Sequence, residues 1–566
     1  MDPNWPYLRG YEAFKHVGSD VFLTVSPGKN HLFVADAEVT FQITSQRNRF
    51  KKPIEIYKNV DLYGKNVVST EGAIWRQHRK LTSPSFSETN NQLVWNETLH
   101  QTQAMLEGWN RHTGLASEVA KDTMTMTLNV ISRAGFGVRV LWPHEEEKEA
   151  PSDALASTRP SAGHTMSYRD SISFLMEHVI WVPLLPDWFR PISPWKVHRK
   201  THEAYTEFGK YMAELYEAKK SEISAGKTGS DGLDLLGALV KGAGISQQPA
   251  STNNADPEKN RPSQGQLLSD SEIIGNAFVF LIAGHETTAN ALHFSLLHLA
   301  LNPSYQVPLQ KELDDIFGDR PVSAWDYEQD FPKLFGGMAG AVINETLRML
   351  PAVISIPKST QKGEPQALNF DGRQIVVPES CAIGLCGAGV GNNPKYWPSG
   401  PDHGSRMPAD DLDQFKPARW LVDLTKVVSS TNADNDEPDT EDFGGPQGPH
   451  SAASLYHPPR GAFIPFSEGP RSCLGRKFAQ AELFAALAVI FRFYSVELAT
   501  DEWEADEAVN AMERGGPDRR QVWEKAANRA NDLLKHGMGS MITLQMRAGR
   551  VPLRLVKRGE ERFVFG

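Results

Sequence analysis

Residues 466–475 read Phe466-Ser467-Glu468-Gly469-Pro470-Arg471-Ser472-Cys473-Leu474-Gly475, a set of types and spacings that could hold an iron porphyrin. A cysteine binds metal as its thiolate, which needs a site that lowers its pKa and shields it from water. With Cys473 on haem iron, each neighbour acquires a job. Phe466 supplies an apolar wall. Gly469 and Gly475 omit side chains where backbone must approach a flat ring. Arg471 presents a planar fork that matches a haem propionate. The chain after Cys473 reads as a helix, Gly475–Phe493, whose positive end would stabilise charge on sulfur. A plain glycine-rich loop with an inert buried cysteine explains the cysteine but not the whole pattern.

A second set lies in Ala283-Gly284-His285-Glu286-Thr287-Thr288. Gly284 weakens a helix and lets a ligand approach backbone. Thr287 can bond a carbonyl one turn back and open the helix locally. Glu286 and Thr287 form an acid–alcohol pair that could relay protons. Alone, this segment reads equally well as a tolerated mid-helix glycine with solvated neighbours. Two further pairs share helix faces: Trp75 with Arg79, and Glu345 with Arg348. The ordinary reading of the second pair is a weak surface ion pair.

These residues need long helices to carry them. Ser269-Asp270-Ser271-Glu272 fits a capping box, and apolar residues run from there to Leu301, where Asn302-Pro303 stops the helix. Gly72–Ser83 and Gly336–Leu350 read as helices, as do stretches within Asn90–Phe136, Tyr168–Val182 and His198–Ala225. Strands are expected at Val21–Val25 and His31–Ala35 around the turn Pro27-Gly28-Lys29-Asn30, at Ala352–Ile356, and in a hairpin over Leu368–Val377 turned by Asp371-Gly372. Four segments read as flexible insertions in a single domain spanning 1–566: 143–163, 242–265, 427–459 and 501–536, the last highly charged with helical pieces broken at Gly515-Gly516-Pro517. The composition is globular, 40% hydrophobic and 23% charged, with net charge −10, which argues against a nucleic-acid partner. The three cysteines Cys381, Cys386 and Cys473 suggest no disulfide framework. No segment is apolar for long enough to span a bilayer, and Met1–Tyr11 is no signal peptide.

At the Cys473 loop, the Glu286–Thr287 helix and the Trp75 helix, the chain resembles the cytochrome P-450 superfamily, the type case of thiolate-ligated haem. The resemblance runs from about residue 20 to about 558, with the motifs in order. It implies a mainly α fold, the P-450 prism with small β-sheets on one side, holding haem b on Cys473. Trp75, Arg79, Arg471 and Lys358 would meet the propionates; Lys358 stands where the family often has arginine. Glu286 and Thr287 would deliver protons during oxygen activation. Glu345 and Arg348 would be a buried structural pair joined by Arg419, from Phe415-Lys416-Pro417-Ala418-Arg419-Trp420. Phe278, Ile282, Val353, Ile354 and Ile542 are the pocket candidates.

The function so implied is a monooxygenase that inserts one atom of O2 into an apolar small molecule. No flavin or iron–sulfur module is visible, so electrons would come from an NADPH-dependent flavoprotein reductase, facing Arg76 and Lys80. The insertions and the Ala-Gly-His-Glu-Thr-Thr variant resemble filamentous-fungal microsomal members, many of which serve secondary metabolism. By resemblance the location is the cytoplasmic face of the endoplasmic reticulum membrane. Since the Trp75 helix comes early and no transmembrane anchor precedes it, the expectation is a truncated chain, a soluble one, or one touching the membrane peripherally. Two rivals stand beside this reading. One is a haem-thiolate isomerase or dehydratase acting on a peroxide, which has little use for Glu286 and Thr287. The other is a non-catalytic haem-binding protein, for which no signalling module is present.

Overall fold

The computed structural model describes residues 4–148, 154–157, 159–226, 234–243, 268–398, 411–421 and 454–564. Its centre is the helix Asp270–Leu301, opened by the expected capping box between Ser269 and Glu272. At about 1.5 Å per residue it is long enough to cross a whole domain. Nearly every side chain from Ala289 to Ala300 is buried, because helices pack around it on all sides. Val119–Phe136 lies along one side, and Met338–Met349 and Arg476–Phe493 along others. The Trp75 helix, Gly72–Thr82, is capped by the Glu71 carboxylate and buries Trp75, His78 and Arg79 on one face.

The strands form small sheets. The expected N-terminal hairpin pairs Val21–Ser26 with Lys29–Val34. A four-stranded sheet continues through Ala382–Cys386, parallel to Lys29–Val34, and ends on Ser355–Ser359. The strand expected at Ala352–Ile356 is therefore displaced to Ser355–Ser359. Pro357 lacks an N–H, and an edge strand tolerates that loss. The Asp371-Gly372 turn joins Gln366–Phe370 to Arg373–Val377, both turn residues having positive φ, as an Asp-Gly hairpin requires. A three-stranded sheet and the hairpin Met538–Ser540 with Leu544–Met546 complete the β content of the described residues.

The expected insertions fare differently. Residues 501–536, read as a charged insertion with helical pieces broken at Gly515-Gly516-Pro517, contain the helices Asp506–Ala511 and Pro517–His536. The longer one buries Val522, Ala526, Ala527 and Ala530, an apolar stripe at helical spacing that the high charge of this segment masks. In 143–163 the turn Pro143–Glu146 buries His144, and residues 149–153 and 158 lie outside the described residues. The expectation for 242–265 lies outside them beyond residue 243, and that for 427–459 lies outside them before residue 454.

Candidate active site

The Cys473 loop is shaped by two residues with positive φ, Ser467 and Gly469. Its turns close with Ser467 N–H on Ile464 O, Ser472 N–H on Gly469 O at 2.9 Å, and Cys473 N–H on Phe466 O at 2.8 Å. A Cβ on Gly469 would sit 2.6 Å from Thr44 O, at the end of the helix Ala37–Ser45. The glycine thus serves loop-to-helix packing. The Cys473 thiol opens onto a cavity of about 370 Å³ yet lies deep within the protein. Burial pushes its proton affinity up, against the pull of the Gly475 amide and the Arg79 and Arg476 charges.

Four cations line the same cavity, and three of them, Lys52, Lys358 and Arg471, gather around Glu71, the fourth being Arg79. Arg471 lies over the Trp75 ring at 3.9 Å, a desolvated cation–π contact worth about 2 kcal/mol. It also pairs with Glu71 at 2.5 Å and donates to Thr70 O at 3.2 Å. Lys358 is 4% exposed on the edge strand. Lys52 donates to Val68 O at 2.8 Å, its ammonium over the Tyr57 ring. A bridge between Lys51 and Ser359 brings the two lysines together. Burial, then repulsion by Arg471, drives the proton affinity of both down, Lys358 to about 8. The carboxylate acting on all three is Glu71. Burial raises its proton affinity, but Arg471 and the Gly72 and Lys52 amides outweigh burial and hold it low. Arg79 ties the Trp75 helix to the loop by donating to Ser472 O at 2.8 Å, beside Cys473.

Opposite, the central helix presents Val279, Ala283, Thr287 and Ala291, with Phe280, Gly284 and Thr288 beside them. This is one stripe at four-residue spacing. Thr287 Oγ1 donates to Ala283 O at 2.8 Å. Of the five pocket candidates only Val353 lines this cavity. Phe278 is fully buried against Tyr63 and Phe208, and Ile282 is a core residue. Both lie one position off the stripe, about 100° around the helix. Stepping back by fours from Thr287 would have reached Ala283 and Val279. Ile354 packs in a separate core with Phe294, Leu350 and Leu544. Ile542 and Glu286 line a second, larger chamber. Sequence reasoning missed Lys52 and Tyr57, which sit in a loop without periodicity.

Glu345, Arg348 and Arg419 come together away from this cavity. Glu345 accepts from Arg348 Nε and Nη2 at 2.8 and 2.9 Å, Arg419 Nε at 3.2 Å, Trp420 Nε1 at 2.9 Å and Lys416 N–H at 3.1 Å. The spare guanidinium N–H groups reach Gly391 O and Leu412 O.

No ordinary core needs a cysteine, three cations and a threonine facing one another across a cavity; a haem with two carboxylates and an axial thiolate does. The chain belongs to the cytochrome P450 family, whose profile, described as Cytochrome P450, matches residues 11–512. It is similar to cytochrome P450 monooxygenase 124 of Postia placenta, 32% identical over 481 residues that cover 84% of this chain and 77% of that one. A cytochrome P450 monooxygenase of Arthrobotrys oligospora is 28% identical over 528 residues, 90% of this chain and 83% of that one. Among solved structures, the heme domain of cytochrome P450DA matches with a TM-score of 0.62 at 18% identity, over 98% of this chain and 93% of that chain, a likeness of fold. This chain is accordingly a haem-dependent monooxygenase, an oxidoreductase that uses O2 and an external electron donor. No helix among the described residues is long and apolar enough to cross a membrane.

Proposed function

We propose that the chain uses haem b to insert one oxygen atom into an apolar small molecule of fungal secondary metabolism, with electrons from an NADPH-dependent flavoprotein reductase. The observation that carries this reading is the one cavity shared by Cys473, the cation cluster and Thr287. Haem, when bound, supplies the oxygen activation, with an axial thiolate favouring O–O cleavage. Cys473 is the ligand. Arg471, Lys358 and Lys52 hold the propionates, Trp75 backs Arg471, and Arg79 fixes the loop. Val279, Phe280, Ala283 and Val353 form an apolar wall that orients substrate and excludes water. Thr287 holds a proton at Oγ1 beside the reacting centre, and Glu286 resupplies it. Arg76 and Lys80, exposed on the Trp75 helix, offer the reductase a basic contact.

The test is the ferrous–CO difference spectrum of the purified chain. A long-wavelength Soret band is expected, and Cys473→Ala should abolish it. A short-wavelength band in the parent chain, or an unaltered one in the variant, would overturn the reading.

Peripheral contact with the endoplasmic reticulum membrane is supported by the segment between the helices Tyr168–His178 and Lys196–Ser224. It exposes Leu184, Trp188, Ile192 and Trp195 at 62%, 70%, 69% and 59%, next to exposed Lys196 and Arg199. Exposed tryptophans beside basic residues suit the interface of an anionic bilayer. Co-sedimentation with phosphatidylserine vesicles should be lost in Trp188→Ser/Trp195→Ser; equal sedimentation of parent and variant rejects the contact.

A further inference from the structure

Glu286 and Thr287 are neighbours in sequence that face different spaces. Thr287 opens onto the Cys473 cavity, while Glu286 lines the second chamber, of about 1140 Å³. Successive helix residues point about 100° apart, so the carboxyl must be aimed around the helix surface to serve Thr287. The C-terminal hairpin, Met538–Ser540 with Leu544–Met546, supplies a hold. Gln545 Nε2 donates to Glu286 Oε1 and, at 3.3 Å, to Thr543 Oγ1. Asn290, one turn beyond Glu286, donates to the same Thr543 hydroxyl at 3.1 Å. Leu544, fully buried, donates its N–H to Ala352 O at 2.9 Å, and Ala352 lines the Cys473 cavity. Thr543 and Asn290 are also buried. The clamp is thus anchored both to the central helix and to a wall of the Cys473 cavity.

We propose that Gln545, carried by Thr543 and the hairpin, is a positioning residue for monooxygenation, fixing the direction of the Glu286 carboxyl and its readiness to release a proton. This rests on the reading of Glu286 and Thr287 as the proton path. The hairpin turn also puts Met541 and Ile542 on the chamber wall, so a molecule bound there bears on the element that holds Glu286.

The charges around Glu286 are Arg547 on the hairpin and, across the chamber, Glu118 and Lys121 on the helix Val119–Phe136 and its cap, Arg169, Asp170 and Glu177 on Tyr168–His178, and Lys200 and Glu203 on Lys196–Ser224. His285, beside Glu286 on the central helix, is kept neutral by burial. Burial raises the proton affinity of Glu286, with the Thr543 contact and Arg547 pulling it down. A donor favours the charged form, so loss of the Gln545 amide raises the affinity further.

Infrared difference spectroscopy on the haem-loaded chain reads this directly. The protonated-carboxyl band missing from Glu286→Gln belongs to Glu286, and its pH midpoint can be followed. Gln545→Leu should raise that midpoint by up to about one unit, a tenfold change in proton affinity. Gln545→Lys, which restores an N–H donor, should bring it back. With reductase and NADPH, Gln545→Leu should also divert more reducing equivalents to peroxide. A normal ferrous–CO band with an unmoved midpoint and unmoved peroxide yield overturns the proposal. Loss of that band in the parent chain would instead overturn the haem-thiolate reading. Where Gln545→Leu folds poorly, Thr543→Val must raise the midpoint, and an unshifted midpoint there is equally decisive against the proposal.

Discussion

Two groups of buried charge lie in this fold on opposite terms. Around Glu345, two guanidiniums, an indole and a backbone N–H converge on one carboxylate, and the remaining N–H groups end on carbonyl oxygens, the Asn392 amide oxygen and, for Arg419, the Asp411 carboxylate at 3.4 Å. Around Arg471, three cations share Glu71, and burial, then repulsion by neighbouring cations, drives their proton affinities down. Among the described residues, no carboxylate lies within ion-pair distance of Lys358. Both groups are buried, so burial alone does not separate a structural cluster from a binding site. What separates them is whether the charge is answered within the protein. The first cluster answers itself and joins helix Met338–Met349 to the segment Pro417–Trp420. The second leaves positive charge that an anionic ligand would answer.

Removing Glu345 should give the largest effect. Glu345→Gln leaves the buried Arg348 guanidinium without a counter-charge and Arg419 with Asp411 alone, which typically costs about 3–5 kcal/mol. The loss should appear equally in haem-free and haem-loaded protein, measured as thermal unfolding. A variant that unfolds normally but sheds haem would move the triad into the binding site and break the comparison. The pH dependence has a definite sign. Burial raises the proton affinity of Glu345, but Arg348 and Arg419 outweigh it and hold the carboxyl below its usual range. Its stabilisation is present at neutral pH and is lost as pH falls through that depressed value.

Arg471→Leu should act chiefly on haem binding. The haem-free chain loses the Trp75 contact and the Glu71 pair but is relieved of a charge that repels Lys52 and Lys358, so its stability should fall by less than in Glu345→Gln. Haem should dissociate roughly 10- to 100-fold faster, following the 1.5–3 kcal/mol of a hydrogen bond to a charged group. Transfer of haem to excess apomyoglobin measures the rate. A destabilised haem-free chain with unchanged transfer would make Arg471 structural, a second Glu345.

The sequence announced the two clusters unequally. Glu345, Arg348 and Arg419 were legible because the family pattern names all three, and the structure brings them together at hydrogen-bond distance. Arg471 and Cys473 were legible for the same reason. Lys52 was not: it reaches the site through the Lys51–Ser359 bridge, a contact across more than three hundred residues that no local pattern records. The pocket wall was misjudged by one helix position at Phe278 and Ile282, because both faces of a fully surrounded helix are apolar. Periodicity then carries no sign of which face meets a cavity. The helices on either side of Gly515-Gly516-Pro517 were legible as helical pieces, but the charged outer face of Pro517–His536 gave no sign of its buried stripe. The Glu286–Thr287 pair was legible as neighbours in sequence, but not that the two side chains open onto different spaces, as adjacent helix positions do.

Lys358 offers the finest test of unanswered charge. Burial, then Arg471, lowers its proton affinity from the ordinary lysine value to about 8. An unfolded chain keeps that proton to about pH 10.4, so between these limits it binds more protons than the folded chain. Stability of the haem-free protein should therefore rise with pH across this window. Lys52, shifted the same way, adds to the rise. Lys358→Met should reduce the slope, and a bound propionate should reduce it in the parent chain by restoring the lysine's proton. The measurement is the thermal midpoint of haem-free parent, haem-free variant and haem-loaded parent from pH 8 upward. A flat profile in the haem-free parent would mean that the lysines already have a counter-charge. The cluster around Arg471 would then be as self-contained as the one around Glu345, and its positive charge would no longer point to haem.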